Sequence, residues 1–559
     1  MSPKDPTHVP VLIIGGGIVG LTASLCLSHH SINSVLIERH AGTSIHPRAR
    51  SVNARVMEIF RELGLCESIR EAGASIAKSG GILSGTSLKS VMEARPRRVG
   101  KAGIWIPEFV KDYAEFSPES GTFVTQDMSE PVLLDAAREG GVDVRFYTEC
   151  VGVEQDDEKV TARLRDRDSG NEYVITADYL IAADGASSPI RNQLQVPVTG
   201  CGTMGYLLNI LFTADLRPLV QNREFSLCVI DRPELAGLFT SINNSDRWVF
   251  HLSYDPSKGE SPADFPPERC KELLQLAIGI PEQEINVISI LPWEPSVRVA
   301  TQLKHNRICL AGDAAHQMPP YGGQGATSGI ADVHNLSWKL AMVLRKEAGK
   351  GLLETYDVER QPVGQAAAEA SAAMADHRGL IDFKISLAKI AAISRIASLV
   401  AGFGYCYSSA SKGVVAEDTG PLGGFTWRSW GLASSGLNLD GRPGTRVPHV
   451  WIERGGKKIS TVDLVGRDFV VLTGSQGGAW IAACVAVKNM LRGTQIEAYC
   501  LGQSGMMVDK DRRFEVAAGV SAGGAVLVRP DGIVAWRLRR MSQDPETALS
   551  EAMVRILCL

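Results

Sequence analysis

No Cys-x-x-Cys pair occurs in this chain, and its 11 cysteines are scattered through 559 residues without a Cys/His group at metal-ligand spacing. That pattern speaks against a zinc or iron–sulfur centre; the cysteines read as small buried apolar residues in a reducing compartment. An excess of one charge sign is also lacking. The formal net charge is −4, which argues against nucleic acid or an anionic membrane surface as the main partner. The densest basic run, Arg95-Pro96-Arg97-Arg98, reads as a solvated loop. Long hydrophobic runs are missing too. The most apolar helical stretch, residues 385–400, is interrupted by Lys389 and Arg395 and is too short to cross a bilayer. Residues 1–10 are polar and do not form a secretory signal, so a cytoplasmic protein without a membrane span is expected. With 44% apolar and 21% charged residues the composition is that of a globular protein, and 559 residues exceed a single core, so two or three domains are expected.

What the chain does have is glycine at two informative places. Gly15-Gly16-Gly17-Ile18-Val19-Gly20 follows the apolar run at residues 9–14, predicted as a buried parallel strand, and opens a helix over residues 21–27. Gly15 permits a tight turn, Gly17 lets a phosphate approach the backbone, and Gly20 lets helix and strand pack closely. The helix N-terminus then offers free N–H groups and partial positive charge to a pyrophosphate. A second strand, residues 34–37, ends at Glu38 and Arg39, where an acid would bind an adenosine ribose hydroxyl. This motif alone does not separate NAD from FAD.

The second place is Gly312-Asp313-Ala314-Ala315-His316, continuing through Pro319-Pro320-Tyr321-Gly322-Gly323-Gln324-Gly325. It lies between a short strand at residues 306–310 and a helix whose apolar residues include Ile330, Val333, Leu336, Leu340 and Val343. A carboxylate at a strand end, a glycine loop and a helix N-terminus suit a ribityl chain and the pyrimidine edge of a flavin. His316 reads as a loop-packing residue and Cys309 as core. Between the two places, a strand at residues 179–183 ends in Asp184-Gly185.

In this order the three segments resemble the group A flavoprotein aromatic hydroxylases. The resemblance implies non-covalent FAD, with Gly15, Gly17 and Gly20 at its pyrophosphate and Glu38 and Arg39 near its ribose. It places Asp184 and Gly185 beside FAD and NAD(P)H, and Gly312 and Asp313 at the ribityl chain. Pro320, Gly323, Gly325 and Ala326 complete the flavin loop. His46-Pro47-Arg48-Ala49-Arg50 is similar to the family's early arginine segment, which implies that Arg48 contacts the FAD phosphates. Gln126, on a segment running through Glu130 and Leu133, matches the family's glutamine near the flavin. One departure stands out: the segment after Gly325 reads Ala326-Thr327-Ser328 where many relatives have an asparagine. That assigns the flavin edge to backbone groups or to the Thr327 hydroxyl.

The implied fold is α/β. A Rossmann-like FAD-binding domain of the p-hydroxybenzoate hydroxylase type spans residues 1–75, 110–192 and 300–365. An inserted antiparallel-sheet substrate domain takes residues 76–109 and 193–299, with strands expected at 206–213, 225–230, 238–242 and 247–254 and with residues 80–91 in the same layer. No catalytic residue is identified outright; Tyr206, Arg247, His251 and Tyr254 are the candidates to bind or deprotonate a phenol. A helix at residues 352–360 is expected to end before Pro362. Residues 363–400 are expected to be mostly helical, the connector runs through 366–412, and residues 408–423 form a Gly/Ser-rich linker. Residues 413–559 resemble the family's thioredoxin-like C-terminal domain but lack Cys-x-x-Cys, so its role is structural or dimer-supporting. Its strands are expected at 458–465, 468–472, 497–501, 524–528 and 533–536, with Arg529-Pro530-Asp531-Gly532 as a turn.

The chemistry implied is hydroxylation of a phenolic or polyketide-type aromatic, with NADPH or NADH as transient co-substrate, O2 as oxidant and a flavin C4a-hydroperoxide as the oxygenating species. A homodimer is the implied assembly, and no metal is expected. Three related chemistries on the same scaffold stay open: epoxidation, Baeyer–Villiger oxidation and oxidative decarboxylation. A non-catalytic flavin-binding regulator is the alternative from another class.

Overall fold

The computed structural model describes residues 7–76, 81–94, 115–382, 402–408, 411–415, 439–491 and 493–559. Its largest sheet has eight strands. The path runs Lys304–His305, Ile308–Leu310, Glu172–Ala182, Thr7–Ile14, Ser34–Ile37 and Asp143–Arg145, with the hairpin Thr148–Gln155/Val160–Asp166 joined to Glu172–Ala182. The central pairings are parallel, and Val11, Leu12 and Ile13 are each 0% exposed because helices cover both faces. Helix Ile18–His29 lies against helix Gln324–Leu344 so closely that a Cβ on Gly329 would stand 2.5 Å from Val19 Cγ2. The two glycine-rich places thus meet in space.

A six-stranded sheet stands beside this core in the order Asn286–Trp293, Tyr206–Thr213, Arg247–Tyr254, Leu235–Ser241, Leu227–Arg232, Ile82–Gly85. Alternate residues on its strands split into two faces. Leu208, Ile210, Phe212, Trp248, Phe250, Leu252 and Tyr254 pack in one core with Cys270, Leu274 and Ile278 of helix Pro267–Ile278. On the opposite face Leu207, Val229 and Leu238 meet Tyr321, Leu380 and Ile381, while Leu211 and Val249 meet Met128. This second face looks onto the flavin-loop side of the large sheet. Residues 82–85 join the layer as expected, although the segment continues as helix Leu88–Ala94 rather than strand.

Two sequence expectations fail here for physical reasons. Helix Gly351–Ala372 does not stop before Pro362 but passes through it. The proline cannot bond the carbonyl of Val358, yet Val358 is 40% exposed, so water can serve that oxygen, and buried Glu359 and Arg360 anchor the turn. The strand expected at 458–465 is only Lys457–Ser460, because Ser460 and Asp463 form a capping box that starts a short 3-10 turn over Thr461–Leu464. Most of the expected linker and the helical stretch 383–400 lie outside the described residues. Within the linker, Ser411 and Val414 are buried.

In the last part of the chain, a four-stranded sheet runs Ile496–Cys500, Phe469–Thr473, Ala525–Val528, Val534–Leu538. Its first pair is parallel and the other two are antiparallel. Helix Gly478–Met490 connects the parallel pair, and helix Pro545–Leu557 packs against that helix.

Candidate active site

The first glycine turn is built as its sequence requires. Gly15 has φ +108°, and a Cβ there would fall 2.2 Å from the Ala183 carbonyl oxygen. A Cβ on Gly20 would sit 1.8 Å from the Gly15 oxygen, so only hydrogen at position 20 lets helix and turn touch. The Gly17 cap of helix Ile18–His29 has no side-chain hydrogen bond. Glu38 stands where the second strand ends; its carboxylate accepts from Gly16 N–H (2.6 Å) and His40 N–H (2.8 Å). Arg39 is exposed beside it, and its carbonyl takes an N–H from Arg167 (2.9 Å).

One group on this helix end was not anticipated. Glu130 accepts from Ile18 N–H (3.0 Å), Ser44 N–H (2.7 Å) and Gln126 Nε2 (2.6 Å). Burial raises its pKa while these donors pull it down. Gln126 thus holds Glu130 in place, and among the described residues no hydrogen bond engages the N–H groups of Gly17 and Val19. Arg48 is exposed, yet its charge acts on both Asp313 and His46.

The second glycine place closes over the first. Asp313 is exposed, yet the surrounding protein desolvates its carboxyl and raises its pKa against His316, Arg48 and Arg191. The turn before it is pinned from below. Asp332, 0% exposed, accepts from Gly312 N–H (3.1 Å), His316 Nε2 (2.7 Å) and Arg360 Nε (2.8 Å). His316 is thus a packing and positioning residue, as the sequence indicates. After Pro320, Gly323 caps helix Gln324–Leu344 in the left-handed region (φ +65°) without a side-chain bond, which leaves the first-turn N–H groups near Gly325 and Ala326 to a ligand. Of the two alternatives the sequence left for this edge, the Thr327 hydroxyl is engaged locally, its one proton shared between Gly323 O (3.0 Å) and Gln324 O (3.1 Å), which leaves the backbone N–H groups as the donors. Asp184 accepts from Ser188 Oγ (2.6 Å) and Ile190 N–H (3.2 Å), burial raises its pKa, and Gly185 follows at φ +83°.

Of the four phenol-handling candidates, two are removed by strand parity. Tyr206 and Tyr254 are direct cross-strand partners on the face away from the flavin side, their rings 5.8 Å apart, and Tyr254 packs on Phe265. Arg247 and His251 share the other face. Arg247 donates to Asp127 Oδ2 (2.7 Å), while His251 meets Thr240 Oγ1 (3.0 Å) and Asn209 Oδ1 (2.5 Å). His251 is enclosed, and burial lowers its pKa to about 4.

Beside this pair lies what the sequence left unassigned. His46 is 3% exposed, and among the described residues neither ring nitrogen makes a hydrogen bond of good geometry; Asp127 Oδ1 is likewise buried and unpartnered there. Burial and Arg48 lower the His46 pKa, while Asp127 and the Asn209 main chain oppose the shift. Unsatisfied buried polar atoms cost about 1–3 kcal/mol each, so native proteins keep them where a ligand or water completes them. The histidine sits in the arginine segment and the aspartate follows Gln126, but nothing in linear spacing shows that they converge.

Close-approach glycines, two helix N-termini whose cap residues make no side-chain hydrogen bond, and the exposed Asp313 carboxylate suit a flavin dinucleotide. The FAD-binding domain family matches residues 8–371, and the C-terminal domain family of aromatic-ring hydroxylases matches residues 440–558. The chain belongs to the flavin-dependent aromatic-ring hydroxylases. Within this family it is 38% identical to the tetracenomycin A2 monooxygenase-dioxygenase of Streptomyces glaucescens, over 98% of this chain and 97% of that protein. It is 36% identical to the 4-methyl-5-nitrocatechol 5-monooxygenase of a Burkholderia species, over 100% and 99%. The crystal structure of aklavinone-11 hydroxylase with FAD and aklavinone superposes with a TM-score of 0.83 at 32% identity, covering 100% of both chains. FAD is the family's cofactor, and no helix among the described residues is long and apolar enough to cross a membrane.

Proposed function

We propose that the chain uses NADPH or NADH and O2 to hydroxylate a phenolic, polyketide-type aromatic. The observation that carries this reading is the convergence of His46, Asp127 and Arg247 between the FAD cradle and the flavin-side face of the six-stranded sheet, whose apolar residues include Leu207, Leu211, Leu238 and Val249. Bound FAD supplies the redox and oxygen-activating chemistry. The glycines of the first turn and the N–H groups of Gly17 and Val19 hold the pyrophosphate, and Glu38 holds the ribose. Asp313 and the helix end at Gly325 and Ala326 hold the ribityl chain and ring edge. His46, neutral at pH 7, accepts the phenolic proton, which raises electron density at the ring carbons ortho and para to that oxygen. Asp127 steadies the imidazolium, and Arg247 holds Asp127. The apolar face excludes water from the reacting ring.

We read residues 439–559 as a thioredoxin-like domain. The support is the strand order with one antiparallel inner strand and the helix joining the parallel pair. The loop entering that helix, Gly474-Ser475-Gln476-Gly477, has no cysteine, so a disulfide-exchange role is absent from the proposal.

Anaerobic stopped flow of the yellow holoenzyme tests the reading. Phenols and hydroxyquinones are expected to accelerate bleaching of the flavin by NADPH or NADH, and hydroxylated product is expected once O2 is admitted. A panel in which no phenol changes the bleaching rate overturns it. A relative named a monooxygenase-dioxygenase favours a second reading, more than one oxygenation of the same substrate, and oxygen-18 incorporation counted by product mass separates the two.

A further inference from the structure

We infer that Asn209, held by His251 and Thr240, is a specificity-determining donor for an oxygen on the substrate remote from the ring position hydroxylated. The inference rests on the aromatic-hydroxylase reading above. Asn209 and His251 are direct cross-strand partners, and Thr240 lies diagonally from His251 on the next strand, so a polar row crosses three neighbouring strands. The rest of that face is apolar, including Leu207, Leu211, Leu238 and Val249. Such a row is not needed to fold a sheet whose other face already forms an extensive core, and burying it costs desolvation.

The bonding within the row sets which way the amide faces. His251 has two neighbours and one ring N–H in its neutral form. Asn209 Oδ1, which can only accept, faces Nδ1 at 2.5 Å, so Nδ1 carries the N–H and the Thr240 hydroxyl, 3.0 Å away, donates to Nε2. The Asn209 NH2 group is then turned away from the row, on a half-buried side chain, and has no other hydrogen bond among the described residues. Its direct partner on the edge strand is Leu291, 37% exposed, and Trp293 follows two residues later on the same face. A flat ring system laid along Leu291 and Trp293 places a carbonyl oxygen against that NH2. His46 faces the Asn209 main chain, so the phenol end and the carbonyl end of one polycycle are served by neighbouring groups. The ligand class is a hydroxylated polycyclic quinone or ketone rather than a bare phenol.

The test compares a hydroxyanthraquinone with the matching hydroxyanthracene, which lacks the ring carbonyls, by titrating each into oxidised holoenzyme and following the flavin absorbance. The native protein is expected to bind the quinone about tenfold more tightly, the effect of one well-made hydrogen bond. Asn209→Leu should bring the ratio close to one while leaving FAD content and hydroxyanthracene binding unchanged. Thr240→Val, which frees His251 to turn, should lower the ratio about threefold and guards against a misfolded first variant. A quinone preference that survives in both variants overturns the inference. If neither polycycle perturbs the flavin of the native protein but simple phenols still accelerate its reduction, the polycyclic subsite fails alone. If no phenol acts either, the hydroxylase reading fails with it.

Discussion

Two polar regions of this molecule differ in how their buried atoms are partnered. Where the C-terminal domain meets the flavin domain, Arg529 donates to Glu359 (2.6 and 2.9 Å) and to Asp531 (2.9 and 2.5 Å). Lys339 donates to Glu359 (2.8 Å) and Asn335 (2.8 Å), Asn335 reaches Asp531 (3.1 Å), and Arg55 bonds the Asp531 carbonyl (2.6 Å). The two acids balance the Lys339 and Arg529 charges, and each of these side chains has at least two hydrogen bonds. At the flavin side, His46 and Asp127 Oδ1 are as well hidden but unfinished. A completed network fixes a structure, whereas an incomplete one is a place where another molecule finishes the bonding.

This contrast is easiest to break at the unfinished end. His46→Ala is expected to lower turnover about 100- to 10,000-fold with FAD content and unfolding midpoint nearly unchanged; unchanged turnover would make His46 a packing residue. At the finished end the result should be reversed. Glu359→Ala leaves Arg529 and Lys339 buried without their carboxylate and should destabilise the protein by about 3–5 kcal/mol, read as a lower denaturation midpoint. The conservative Glu359→Gln should recover only part of that loss.

Gly15→Ala probes the cradle rather than either network. The left-handed turn and the Ala183 carbonyl both oppose a side chain, so about tenfold weaker FAD binding is expected, measured by flavin release on dilution. Acidification should affect the two regions at different pH. Burial opposes ionisation of Glu359, Asp531 and Asp332, but neighbouring cations hold all three below the usual carboxylate range. Their contribution is therefore complete above the unfolded value of about 4 and is lost as pH falls below it. Activity should fail earlier, when His46 takes a proton near or below its ordinary value of about 6.5. A kcat/KM profile set beside an acid-denaturation curve checks the separation. The smallest effect is expected for Tyr254→Phe, which faces away from the flavin side and should change turnover less than twofold.

The glycine turns and the acids beside them were legible in the sequence because their signals are local. Gly15, Gly20, Glu38, Gly312 and Asp313 each stand at a strand end or helix start, where spacing along the chain is spacing in space. Sheet position was different. Tyr206 and Tyr254 differ from His251 only in strand parity, which cannot be assigned before register is known. Pro362 misled because a helix-breaking signal was outweighed by the buried ion pairs of Glu359 and Arg360 just before it. The turn Arg529-Pro530-Asp531-Gly532 was placed correctly, with Gly532 N–H bonding the Arg529 carbonyl (2.9 Å), but spacing along the chain says nothing of its burial. Arg529 and Asp531 are in fact 0% and 3% exposed, and their partners lie more than a hundred residues earlier.

Helix Gln324–Leu344 reaches from the flavin loop to that interdomain junction, with Gly325 and Ala326 at one end and Asn335 and Lys339 farther along. Recombination between family members that exchanges the segment after residue 440 would therefore cut through matched ionic partners rather than through a tether. Chimaeras should survive only when Asn335, Lys339 and Glu359 travel with the Arg529–Asp531 turn they complement.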